Sequence, residues 1–216
     1  AAQARAERWG RAARLLQEAR HWATELDFVD HCTVLGACGR RGRWHRALEQ
    51  LAASWRDGVQ RDIACLTVTL DACGKGGRWA RALELFQATL GLGPGRDVTC
   101  GAAVNACAVS GQWQLALALL GGMRGLRLLP SVITFSAAVG ACVDGGHWLV
   151  ALGLLREMRA MAAQPNAVTF TAAISACEAS RQWQAALGLL ASARRERADG
   201  NVIPYNAAVS ACGKSG

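Results

Sequence analysis

The sixteen residues SACEASRQWQAALGLL at 175–190 return as NACAVSGQWQLALALL at 105–120 and as GACVDGGHWLVALGLL at 140–155. The tryptophans that carry this pattern are Trp9, Trp44, Trp79, Trp113, Trp148 and Trp183, spaced 35, 35, 34, 35 and 35 apart, and Cys38, Cys73, Cys107, Cys142, Cys177 and Cys212 run in parallel. A period of this length marks an array of small supersecondary units, and it constrains the fold more than any local motif. The one spacing of 34 falls in the stretch holding the Gly/Pro-rich GLGPGRD, a loop that can lose a residue without moving a buried face.

Each unit reads as two helices. After each Trp, Ala, Leu, Gln and Arg dominate, all good helix formers, with apolar residues such as Leu83, Leu85, Phe86 and Leu90. Before each Cys runs a second apolar stretch, VITFSAAVGAC or AVTFTAAISAC. Its Val, Ile, Thr and Phe content alone would suit a strand. The run is about eleven residues long, is crowded with small residues in its second half and meets a Gly-rich turn, which makes helix the better reading. The small Ala and Cys residues allow neighbouring helices to approach closely. A helical hairpin of this size cannot bury its apolar face alone, and stacking on its neighbours does so. The predicted fold is all-α: a right-handed α-solenoid of stacked helix-turn-helix repeats. The units are 28–62, 63–96, 97–131, 132–166 and 167–201. A partial unit at 1–27 supplies a second helix only and another at 202–216 a first helix only, so the chain reads as an excerpt of one continuous, longer array.

The 216 residues are 52% hydrophobic, as a folded chain requires. No apolar run is long enough to span a bilayer, and no signal peptide is visible at the start. Nine cysteines are present, but six recur at one repeat position and no CxxC occurs. They read as small buried residues rather than as disulfides, zinc ligands or a redox pair. The net charge of +8 suits a polyanionic partner. Arg40, Lys75 and Lys214 share one point at the end of the first helix, where phosphates would be met, although Val109, Asp144 and Ala179 interrupt that line.

PSVITFSAAVGAC, PNAVTFTAAISAC and NVIPYNAAVSAC, with GQWQLALALLGGMR and HWLVALGLLREMR, resemble the two halves of pentatricopeptide repeats of the 35-residue P type. The likeness covers nearly the whole chain. Tetratricopeptide repeats, the nearest alternative, have a 34-residue period and place Gly, Tyr and Pro differently. The resemblance implies single-stranded RNA binding, one base per repeat, along the surface formed by the first helices. It assigns base packing to the second residue of each repeat: Val29, Ala64, Val98, Ile133, Val168 and Ile203. Base reading falls to the fifth residue, Cys32, Thr67, Gly101, Ser136, Thr171 and Asn206, assisted by the last, Asp62, Arg96, Ser131, Asn166 and Asn201. Ser136 with Asn166, and Thr171 with Asn201, match the family pairing for adenine, which implies two adjacent adenines at repeats 132–166 and 167–201. Asn206 points to a pyrimidine and Thr67 to a purine. Cys32 with Asp62, Arg96, and Gly101 with Ser131 depart from the family pattern.

No HExxH, phosphate-binding GxxxxGKS/T or GxSxG occurs, and His21, His31, His45 and His147 lack metal-ligand spacing. The expected activity is therefore binding without catalysis, cofactor, metal or membrane, in RNA processing, stability or translation. The resemblance places such proteins in the mitochondrion or chloroplast. The alternative is a protein-binding helical-repeat scaffold, favoured at Cys32, Arg96 and Gly101. The tryptophans start the second helices, away from the reading face, and are expected to pack in the core.

Overall fold

The computed structural model describes residue 35 and residues 44–56, 63–89, 95–198 and 203–213. Ten helices and no strand occur among them: α1 (Trp44–Arg56), α2 (Ile63–Lys75), α3 (Trp79–Thr89), α4 (Arg96–Val109), α5 (Trp113–Gly125), α6 (Val132–Ala141), α7 (Trp148–Ala160), α8 (Ala167–Ala179), α9 (Trp183–Arg195) and α10 (Ile203–Gly213). The β-branched stretches thus fold as helix, because burial of a whole face outweighs a propensity difference of tenths of a kcal/mol per residue. Val29, Cys32, Arg40, Asp62, Asn201 and Lys214 lie outside the described residues, as does the side chain of Ile203.

Two turns recur and set the hairpin. Between the first and second helix, Gly77, Gly111, Gly146 and Arg181 all take a left-handed φ, between 57° and 72°. Three repeats place Gly where no Cβ is tolerated cheaply, and the fourth carries Arg181 in the same conformation at a cost. After the second helix, Arg127, Ala162 and Arg197 adopt a left-handed φ near 55°. There the chain closes with Leu128 N–H on Met123 O, Ala163 N–H on Met158 O and Ala198 N–H on Ala193 O. These bonds satisfy carbonyls that the helix end would otherwise orphan.

Contacts divide the chain into two units, Ala1–Ala106 and Cys107–Gly216. In the first, α2 packs on α1 and α3. Its core gathers Leu35, Ala47, Leu51, Cys65, Leu66 and Ala72, flanked by Trp55, Val68 and Leu85. Gly74 lies so close to Ala106 that an added Cβ would sit 2.6 Å from the Ala106 Cβ. In the second unit each first helix packs on its own second helix and on the next first helix: α6 on α7 and α8, and α8 on α9 and α10. Phe135, Phe170, Ile174, Leu155 and Met158 are fully buried there, each contributing about 1.5–3 kcal/mol by leaving water.

Cys73, Cys107, Cys142 and Cys177 are buried, as their shared repeat position predicts, and off-register Cys65 and Cys100 are buried as well. Burial pushes the Cys73, Cys100, Cys107, Cys142 and Cys177 thiols up to about 11. They are neutral packing residues at physiological pH. Cys212 departs from its register mates: it is exposed in α10.

The tryptophans correct an expectation. Trp79, Trp113 and Trp148 are half-buried and Trp183 is 42% exposed, so none of them is core. Each opens a second helix. Trp113 stacks on His147 of the following repeat at 3.9 Å between ring centroids. Trp44 carries the Arg78 guanidinium 4.9 Å above its ring.

Candidate nucleic-acid interface

In the second unit α6, α8 and α10 are adjacent first helices, so residues at one repeat position share a face. Ile133 and Val168, the second residues of their repeats, are 78% and 65% exposed. The other large apolar residues of α6 and α8 are buried or half-buried, and these two stand in solvent at a spacing of 35. Val98 in the first unit is 59% exposed, and Ala64 there is exposed too. Isolated exposed apolar residues are ordinary, whereas recurrence at one register position is not.

Three positions along the first helix sit beside them. Ser136, Thr171 and Thr67 are half-buried, and each hydroxyl lies within hydrogen-bond reach of the carbonyl four residues back: Ser136 Oγ to Val132 O at 2.8 Å, Thr171 Oγ1 to Ala167 O at 2.7 Å, Thr67 Oγ1 to Ile63 O at 2.6 Å. A hydroxyl held this way directs a lone pair outward. Asn206 is exposed on α10, and Gly101, half-buried on α4, brings no side chain.

The last residues of two repeats, Ser131 and Asn166, cap the next first helix. Ser131 Oγ accepts from Thr134 N–H at 3.2 Å and contacts Thr134 Oγ1 at 3.0 Å. Asn166 forms a capping box on α8: its Oδ1 accepts from Thr169 N–H at 3.0 Å and from Thr169 Oγ1 at 2.9 Å. Since a backbone N–H can only donate, the amide oxygen faces the helix and Nδ2 faces away. Arg96 is half-buried at the start of α4, and its carbonyl accepts from Thr99 Oγ1 at 3.1 Å.

One connection joins two repeats. Ser136 Oγ lies 2.7 Å from Thr169 Oγ1, so the fifth and last residues of repeat 132–166, Ser136 and Asn166, are joined through the third residue of the next repeat. Thr99, Thr134 and Thr169 occupy that third position and are all buried. The signal was in the sequence: a threonine recurring inside an apolar run, where a polar group must find a partner.

The basic line is thin. Lys75 is exposed at the end of α2, but its ammonium is paired with Asp71, and Arg40 and Lys214 lie outside the described residues. Successive second helices are tied elsewhere by Arg159 to Glu196 at 2.7 Å and by Arg124 to Glu157. Among the described residues no three His, Cys, Asp or Glu side chains group as metal ligands, and no helix is long and apolar enough to cross a membrane.

Stacked two-helix units with a recurrent polar and apolar register define a helical-repeat protein. A family profile described as "Pentatricopeptide repeat domain" matches residues 97–145 and 153–215, together more than half of the chain, and one described as "PPR repeat" matches 65–93 and 133–161. The chain belongs to the pentatricopeptide repeat family. It is similar to the crystal structure of the pentatricopeptide repeat protein PPR10 from maize, at 30% identity and a TM-score of 0.72, over 88% of this chain and 28% of that one. The fold also matches PPR10 in complex with an 18-nt psaJ RNA element, at 13% identity and a TM-score of 0.80, over 96% of this chain and 30% of that one. A cysteine-substituted PPR10 bound to the same element matches equally. The chain thus spans less than a third of the solved chains it resembles. No curated protein sequence matches it.

Proposed function

We propose that this chain is part of a non-catalytic array that binds single-stranded RNA, one base per repeat. Its repeats would be those bounded at 28–62, 63–96, 97–131, 132–166 and 167–201. The observation that carries the reading is the pairing of exposed Ile133 and Val168 with the linked Ser136 and Asn166. Apolar side chains at this spacing fit against base faces, a contact that tolerates any base. A polar pair beside them discriminates, because the wrong base leaves a desolvated group unpaired. PPR10, whose fold the chain shares, has been solved with RNA bound. The adenine-type pairs Ser136 with Asn166 and Thr171 with Asn201 favour two adjacent adenines. The role that follows is in RNA processing, stability or translation, by shielding a segment or positioning another factor, in a mitochondrion or chloroplast as the family resemblance implies.

Fluorescence polarisation with a short RNA containing two adjacent adenines tests this. Binding should weaken as salt rises, through counterion release. Replacing both adenines by cytosines should weaken it further. Equal affinity for the two RNAs would remove the base-reading claim. Absence of binding to either would favour the second reading, a protein-binding scaffold, for which Gly101 and Arg96 speak.

A further inference from the structure

The second helices of the second unit carry a face of their own. Ala151, Leu154 and Met158 of α7 and Ala186 and Ala193 of α9 are buried, and each helix packs on first helices rather than on the other. A groove of about 250 Å³ is left between α7 and α9. Half-buried Leu152 and Ala185 and buried Leu155 and Leu189 line it. Arg159 of α7, which also lines it, ties the two walls together through Glu196 at 2.7 Å.

This face differs from its counterpart in the first unit. Gly153 and Gly188 occupy one repeat position in the middle of their helices, with nothing within 4 Å of where a Cβ would stand. Glycine is a costly residue in a helix interior, and its use is to let another backbone come close. The same position holds Ala118 in repeat 97–131 and exposed Glu49 and Glu84 before it. Glu84 is paired with Arg81 at 2.6 Å, as on an ordinary solvated face. Around the groove, by contrast, Leu149 and Leu187 stand in solvent. Leu149 precedes Leu152 by one turn on the same face, and Leu187 adjoins Gly188. Arg156 lines the groove and is exposed, and among the described residues no carboxylate pairs with it. Its neighbours Glu157 and Arg159 are taken up by Arg124 and Glu196.

The groove is smaller than the about 300–1,000 Å³ that encloses a small molecule. A nucleic-acid backbone needs a row of free cations, and of the two arginines that line the groove one is already paired. Two second helices in equivalent places of successive repeats run in the same direction and leave a furrow. A third helix fills such a furrow with side chains three and four residues apart. We infer that the groove between α7 and α9 docks an amphipathic, acidic helix of a protein partner. Its apolar side chains meet Leu149, Leu152, Ala185 and Leu187, its backbone nears Gly188, and a carboxylate pairs with Arg156. The site lies on the second helices and does not depend on the RNA-binding reading of the first helices.

The test is a display selection on the whole chain. The probe is a library of helical peptides of about 18 residues, long enough to hold a helix, varied over one face and its flanks. Enriched peptides should carry large apolar residues three and four apart, with aspartate or glutamate beside them. Arg156→Glu should weaken the best peptide by about tenfold or more, the scale of a charged hydrogen bond, and changing the peptide's carboxylate to lysine should restore binding. Gly188→Leu fills open space, so its melting temperature should hold or rise while peptide affinity falls by about tenfold or more. A selection without enrichment, enriched peptides without acidic residues, or unchanged affinity for both folded variants would each overturn the inference. Self-association in analytical ultracentrifugation that Gly188→Leu abolishes would assign the groove to a second copy of the chain, and would overturn it too. None of these readouts involves RNA, so this inference and the RNA-binding reading fail separately.

Discussion

The repeat that starts at Ile63 and the one that starts at Val132 share a backbone pattern but differ in what they connect. In the second unit Ser136, Thr169 and Asn166 form a continuous run of hydrogen bonds. In the first, Thr67 donates to Ile63 O, while Thr99 turns to the Arg96 carbonyl. The backbone differs slightly too. Ser131 and Asn166 stand just before their helices as side-chain caps, whereas Arg96 is already the first residue of α4 and Gly95 precedes it with a φ of 99°. The core differs in parallel: Phe135 and Phe170 fill the fourth repeat position in the second unit, and Leu66 and Cys100 fill it in the first. Equivalent positions in a repeat protein are therefore equivalent in geometry only. What a position does depends on whether its neighbours carry the matching hydrogen-bond partner or volume.

The largest expected effect that tests this contrast is in the core. Phe170→Ala should cost about 3–5 kcal/mol and Leu66→Ala about 2–5 kcal/mol, read by denaturant unfolding. A loss at Phe170 below that at Leu66 would reverse the ranking of the two cores. Gly74→Ala comes next. Its Cβ would meet the Cα and Cβ of Ala106 at 2.7 and 2.6 Å, and overpacking of that kind costs about 1–3 kcal/mol. Gly140 in α6 has open space at its Cβ, so Gly140→Ala should instead raise the melting temperature slightly. Equal outcomes would show that the close approach at Gly74 is not a constraint.

Arg96→Asn would make the first unit resemble the second. The amide offers a side-chain acceptor near Thr99, whose hydroxyl now donates to the Arg96 carbonyl, and a cap worth about 1 kcal/mol if the helix then starts one residue later. Base preference at repeat 63–96 should rise in the RNA assay, together with a small gain in melting temperature. A gain in stability alone would separate capping from base selection. The smallest effect is at Arg181, in the left-handed turn where three other repeats carry Gly. Arg181→Gly should stabilise by up to about 1 kcal/mol, while Gly111→Arg should destabilise by a similar amount. Chemical denaturation of the pair gives both values, and a shift of the same sign in both would count against the strain argument.

Much of this was legible in the residues. The recurrence of Trp and Cys gave the period, and small residues with Gly turns gave two helices per unit. The repeated Cys position is buried at Cys73, Cys107, Cys142 and Cys177, as its register implied. The tryptophans are the exception: bulk and hydrophobicity argue for the core, while their place in the first helical turn holds them at its edge. The link at Thr169 is hidden in the sequence for a related reason. Its partners lie three residues back and in the preceding repeat, and nothing in the local pattern shows that Ser136 reaches it across two helices.

The sequence by itself determined the unit, its length and its buried face, since periodicity and side-chain size are local properties repeated along the chain. Only the tertiary structure decided which hydroxyl meets which amide, and how near Gly74 comes to Ala106. Those depend on distances of a few tenths of an ångström between stacked helices, and hydrogen bonds and steric contacts change sign over that range.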